Sequence, residues 1–118
     1  MRLETPMTLS THIVATAYGD PPEVLSAVEA ELPAPGPGQV AVEVRAAGVN
    51  PMDLKIVTGF MGTDESKLPR RLGLEVAGVV TAIGDGVEPA VGDEVIVYPA
   101  AGGYTDRLIA EASSVHTK

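Results

Sequence analysis

The sequence predicts a mostly β fold, a small barrel or sandwich of short strands joined by frequent turns. Three observations carry this expectation. Valine-rich runs recur along the chain, separated by glycine and proline, which number 13 and 10 among 118 residues. Aromatic residues make up only 3%, with one Phe, three Tyr and no Trp, so the core has to be assembled from Val, Ala, Leu and Ile. Finally, Val40, Val42 and Val44 alternate with Ala41, Glu43 and Arg45, the period of two that a half-buried strand requires. At 45% apolar, a chain of this length can bury one core without staples.

In chain order, Met1–Leu9 is expected to be a flexible leader, with the domain proper over 10–118. His12–Ala15 is the first apolar run and reads as a strand. Gly19-Asp20-Pro21-Pro22 is a turn signal, because Pro presets φ and Asp caps a turn. The apolar positions from Val24 to Leu32 suit a strand or a short helix about equally, and strand is preferred. Pro33 to Gly38 is a breaker run, after which the Val40 strand continues towards Asn50. Asn50-Pro51-Met52-Asp53 reads as a helix start: Asn50 as N-cap, Pro51 at N1 and Asp53 at the positive end. That helix is expected to run through Val57 and stop at Gly59. Phe60–Leu68 lacks periodicity and is expected to be a mobile loop ending at Pro69. Strands are expected over Leu74–Ile83, Val95–Tyr98 and Tyr104–Ala110, separated by turns at Gly84–Gly86 and Pro89–Asp93 and by the glycine-rich step Pro99–Gly103.

Several function classes drop out. There is no cysteine, which excludes disulfides, thiolate zinc sites, iron–sulfur clusters and a cysteine nucleophile. A net charge of −8 argues against a nucleic-acid or anionic-membrane partner. With no apolar window of membrane-spanning length and no signal-peptide pattern, a cytoplasmic location is expected. Gly84-Asp85-Gly86 leads into another strand rather than a helix, so it reads as a β-turn and not a dinucleotide fingerprint. His12 and His116 stand near opposite ends of the chain, without a Gly-x-Ser-x-Gly elbow or a metal-ligand spacing around them.

Two places remain where polar groups enter apolar surroundings. Asn50, Asp53 and Lys55 put an amide, a carboxylate and an ammonium at a strand-to-helix junction, where they could line a cleft or simply cap the helix. Glu75 lies among Leu72, Leu74, Val76, Ala77 and Val79. A carboxylate there is costly unless paired, and Arg70 and Arg71 are the nearest candidate partners.

The stretch from Pro35-Gly36-Pro37-Gly38-Gln39-Val40 through Ala47-Gly48-Val49-Asn50-Pro51-Met52-Asp53-Leu54-Lys55 resembles the N-terminal domain of medium-chain dehydrogenase/reductases. Gly73–Val80, Ile83–Val87, Val91–Val95 and Gly102-Gly103-Tyr104 continue the likeness in order, so that it covers roughly 13–115. The resemblance implies a GroES-like, partly open β-barrel with one or two short helices. The family's zinc-dependent branch carries Cys at the position of Asn50 and His at that of Leu74; here neither is present, while Glu75 remains. The chain therefore resembles the zinc-independent quinone oxidoreductase branch, with no metal site expected. What this implies is hydride transfer from NADPH to a quinone or an α,β-unsaturated carbonyl. Asn50, Asp53 and Lys55 would be the catalytic residues, and Asn50 and Lys55 would also meet the cofactor. Phe60, Met61 and Tyr98 would wall the substrate pocket, with Tyr104 a further residue that could approach substrate. The Rossmann domain that follows this barrel in the family is expected to be missing from the chain, leaving an incomplete enzyme that holds NADPH poorly by itself. A homodimer of the parent enzyme is a further implication. The alternative reading is a non-enzymatic GroES-like module, of co-chaperonin or partner-binding type.

Overall fold

The structure, a computed structural model, describes residues 8–118. The expected leader therefore lies mostly outside the described residues, while its last two positions, Thr8 and Leu9, belong to the first strand. The elements are β1 (Thr8–Ala15), α1 (Pro21–Val24), β2 (Leu25–Leu32), β3 (Gln39–Ala47), α2 (Pro51–Val57), β4 (Arg70–Arg71), β5 (Val76–Ile83), β6 (Glu94–Val97), β7 (Arg107–Glu111) and β8 (Val115–Thr117). Single turns of 3₁₀ helix cover Glu65–Lys67 and Ala112–Ser114.

The fold is mostly β. Strands β2-β1-β4 form one sheet and β7-β3-β5-β6-β8 the other, and every ladder among the described residues is antiparallel. The described residues thus form antiparallel strands with short helices between them, and no parallel βαβ unit occurs among them. Two backbone bonds join the sheets, from Ile13 N to Tyr104 O at 2.8 Å and from Asp106 N to Thr11 O at 3.1 Å, beside a His12–Thr105 bridge. Strands β2 and β8 stay at the outer edges, so the barrel is partly open.

The main core is aliphatic, as the scarcity of aromatics requires. Val40 and Val42 of β3, Val80 of β5 and Val95 and Val97 of β6 are essentially inaccessible. β-Branched valine suits this role, since its single preferred χ1 packs well on a pleated surface. A second cluster, Ala15, Val24, Val57 and Leu72, lies under the two helices and sets the orientation of α2.

Three expectations need adjustment. Val24–Leu32 is divided: Pro21–Val24 makes one helical turn and Leu25–Leu32 pairs along its whole length with β1. The Phe60–Leu68 segment is not structureless, because Asp64 Oδ1 caps its 3₁₀ turn by accepting from Ser66 N (2.9 Å) and Tyr18 Oη donates to Asp64 O at 2.8 Å. The last expected strand starts at Arg107 instead of Tyr104, and the short strands β4 and β8 are additional. No helix of the described residues is long and apolar enough to cross a membrane.

Candidate functional site

Helix α2 begins where the sequence places it, with Asn50 as N-cap and Pro51 in the first turn. Asp53, at N3, reaches back so that its Oδ2 accepts from Asn50 N at 3.0 Å. Position 57 lies one turn further on the same face, and Val57 is buried in the cluster with Ala15 and Leu72. That face therefore points inward and takes Asp53 with it, to 4% exposure.

A buried carboxylate must find donors. Asp53 finds three, from three parts of the chain. Besides Asn50 N, Gly73 N donates to Oδ1 at 3.2 Å and Tyr104 Oη donates to Oδ2 at 2.7 Å. Burial of the phenol, then its bond to Asp53 and the charge of that carboxylate, hold Tyr104 well above the usual tyrosine range. Tyr104 is accordingly a neutral donor whose hydroxyl is engaged by Asp53. Gly73 has φ +105°, and a Cβ there would stand 2.6 Å from Tyr104 N, so only glycine allows the approach.

Lys55, two residues beyond Asp53, projects on the opposite side of α2 and is exposed; its Nζ lies 5.7 Å from the centroid of the Phe60 ring, within cation–π range. The amide, carboxylate and ammonium at the junction thus do not converge. Asn50 instead meets Glu75, with Nδ2 3.5 Å from Oε1. Glu75 forms no ion pair with Arg70 or Arg71 among the described residues; both arginines lie on β4 opposite Ala15 and Val14, and the Arg71 side chain runs against Gly102. This replaces the expected Glu75–Arg pairing. The side chain of Glu75 lies against the backbone at Gly48, where any Cβ would collide with it.

Beside Glu75 runs an open groove of ≈ 380 Å³ walled by Ala46, Ala47, Gly48, Val76 and Ala77. Ile96 and Glu75 complete its lining, which is mostly apolar. A larger concavity of ≈ 830 Å³ lies elsewhere, around Glu88, Asp93 and Lys118, and contains none of the polar groups described above. Phe60, Met61 and Tyr98 are 77%, 56% and 53% exposed, so within these residues they are surface groups and close no pocket.

The model of the alcohol dehydrogenase GroES-like domain family matches residues 36–116. The chain belongs to this family. As a GroES-like domain it is similar to the synaptic vesicle membrane protein VAT-1 homolog of Rattus norvegicus, at 40% identity over 100 residues, covering 81% of this chain and 24% of that protein. Among solved structures it is similar to Escherichia coli quinone oxidoreductase complexed with NADPH (TM-score 0.78, 33% identity, 91% of this chain and 32% of that one). It is likewise similar to a cobalt- and zinc-bound alcohol dehydrogenase from Pyrobaculum aerophilum (TM-score 0.77, 29% identity, 94% and 42%). The chain thus spans between about a quarter and two-fifths of the length of these relatives. Its relatives are medium-chain oxidoreductases, some of them named as quinone oxidoreductases and one as a metal-bound alcohol dehydrogenase.

Whether a catalytic metal suits this GroES-like domain can be tested on its donors. The two positions the resemblance assigns to a thiolate and an imidazole hold an amide, Asn50, and a hydrocarbon, Leu74. Among the described residues no group of three or more His, Asp or Glu side chains converges as a metal-binding set. These two positions therefore offer neither a thiolate nor an imidazole to a zinc ion.

The sequence names Tyr104 in a glycine-rich step and as a residue that could approach substrate, but nothing local marks it as the partner of a residue 51 positions away. His12, in β1, is 5% exposed, and burial together with the nearby Arg71 lowers its pKa, against an opposing contribution from Asp106.

Proposed function

We propose that this chain is the substrate-side domain of a zinc-independent, NADPH-dependent reductase acting on quinones or α,β-unsaturated carbonyls. The observation that supports it best is the meeting of the Asn50 amide and the Glu75 carboxylate beside a mostly apolar groove, in a family whose members include quinone oxidoreductases. NADPH would supply the hydride when bound. The residues of this chain prepare its acceptor.

Glu75 accepts from one N–H of the Asn50 amide and so orients it, which leaves a second N–H to donate to a substrate carbonyl oxygen. Such a donor stabilises the negative charge that develops on that oxygen as the conjugated system is reduced. The small side chains at Ala46, Ala47, Gly48 and Ala77 leave room for a flat ring and displace water from it. Lys55, held near Phe60, offers a cation at the rim for the anionic cofactor. Met61 and Tyr98 complete the walls only when a nucleotide-binding domain covers them, and without that domain the chain does not turn over.

The test is the loss of NADPH absorbance with naphthoquinone and with an enone, for the chain alone and joined to the nucleotide-binding domain of a relative. The joined protein is expected to be active and the chain alone inert. Asn50→Ala in the joined protein is expected to lower kcat by about 100-fold, the order seen when one preorganised donor is removed. Robust turnover by the chain alone, or an Asn50→Ala variant of unchanged kcat, would overturn the proposal.

A further inference from the structure

Asp53 is the buried carboxylate of the described residues, and helix capping alone does not account for where it lies. A capping acid can remain in water, as Asp64 does at its 3₁₀ turn. Asp53 is instead enclosed, and its donors come from the three segments that frame the site. Asn50 N belongs to the strand-to-helix junction, Gly73 N to the chain just before β5, and Tyr104 Oη to the glycine-rich step before β7. The last two segments are already zipped together, by Gly103 N to Gly73 O at 3.0 Å and Tyr104 N to Leu72 O at 3.0 Å. The Asp53 side chain ties the start of α2 to both members of that pair at once. Two residues beyond Gly73 stands Glu75, and at the residue bonded through its own N–H stands Asn50.

We infer that Asp53 is a positioning residue: by holding Asn50 N, Gly73 N and the Tyr104 hydroxyl at once, its carboxylate sets the separation between the Asn50 amide and the Glu75 carboxylate. Asp53 then does not touch substrate, in contrast to the catalytic role expected of it from the sequence. The importance of this for turnover rests on the function proposed above, but the positioning itself does not. Tyr104 is the adjustable member of the set, because a phenylalanine can keep its ring in place while releasing one of the three bonds.

The test is nuclear magnetic resonance of the 118-residue chain carrying Tyr104→Phe, and separately Asp53→Asn. The readouts are the side-chain amide protons of Asn50 and the carboxyl-carbon chemical shift of Glu75 at pH 7. Both are expected to shift in Tyr104→Phe while resonances of the distant β6–β8 pair, such as those of Val95 and Thr117, stay in place. Asp53→Asn is expected to produce the larger shift. Should Asp53→Asn fail to fold, Tyr104→Phe decides alone, since it leaves two of the three bonds. A folded Tyr104→Phe whose Asn50 and Glu75 signals coincide with those of the parent would overturn the inference. An inactive hydride-transfer assay leaves these signals untouched, so the two ideas fail separately.

Discussion

The Asp53–Tyr104 contact yields a stability prediction that can be worked from its parts. Tyr104→Phe deletes a hydrogen bond to a charged acceptor, 2.7 Å long, from a half-buried phenol. Bonds of that kind contribute about 1.5–3 kcal/mol, and the partial exposure of Tyr104 places the loss near the lower bound, about 1.5 kcal/mol. Asp53→Ala is worse. It strands Gly73 N and the Tyr104 hydroxyl, at about 1–3 kcal/mol each, and removes an N-terminal helix acceptor contributing about 1 kcal/mol, for a total of about 4 kcal/mol. In the double variant the stranded hydroxyl is gone, so its cost of about 1.5 kcal/mol disappears, and the combined loss should fall to about 2.5 kcal/mol, below that of Asp53→Ala alone. The expected coupling is about 3 kcal/mol, at the upper end of the range for residues in contact. Urea unfolding at pH 7, followed by far-ultraviolet circular dichroism, measures all four corners of the cycle. Single losses that add to within about 0.5 kcal/mol would refute the reasoning. A pH arm gives an independent check. Because the folded phenol titrates above its ordinary value of 10.0, its stabilising contribution is complete below that pH and is lost as pH rises beyond it. Tyr104→Phe should flatten that alkaline decline.

Two further predictions concern the barrel itself. The pKa of His12 is lowered by burial and by Arg71, so the unfolded chain takes up a proton near pH 6.5 before the folded one does. Stability is then lost as pH falls below 6.5, with a slope bounded by about 1.4 kcal/mol per pH unit for one proton, and thermal melts of His12→Gln should show a shallower loss between pH 6.5 and 5. Gly78, in the β3–β5 ladder, has no room for a methyl group, since a Cβ would run into Glu43 O and lie 2.8 Å from Val42 Cγ1. Gly78→Ala is expected to cost about 3 kcal/mol in urea unfolding, an overpacking penalty; a loss under 0.5 kcal/mol would show that the ladder can shift to absorb it.

The strands that sequence reading placed well are those whose burial follows their own alternation. Val40 and Val42 read as one face and are buried as one face. The α2 start was legible for a similar reason, since Asn50, Pro51 and Asp53 each favour an N-terminal position by local chemistry. Strands β4 and β8 left no such trace. Two residues, Arg70 and Arg71, have no periodicity, and they are a strand only because β1 lies beside them. The same holds for the site. The 3.6-residue repeat could have turned Asp53 inward with Val57 and Lys55 outward, but the sequence offered no measure of which face of α2 was core. The Asp53–Tyr104 bond depends on a chain reversal at Gly102–Gly103 and on the positive φ of Gly73, and both are properties of the closed barrel. Glu75 illustrates the opposite risk. Its sequence neighbours Arg70 and Arg71 were plausible partners by distance along the chain, yet the β1 pairing carries them away from it.

The partial opening of the barrel bears on how the protein behaves at high concentration. Unpaired outer strands are templates for pairing with another copy. On β2, the longer of the two outer strands, Glu29 and Glu31 are exposed. At neutral pH these carboxylates set like charge against like wherever two such edges meet, and the net charge of −8 adds a general repulsion. Both protections depend on ionised carboxylates and fade together near the isoelectric point of about 4.5. Acidification would therefore convert a colloidally stable domain into one whose longest free edge is open to strand-on-strand aggregation.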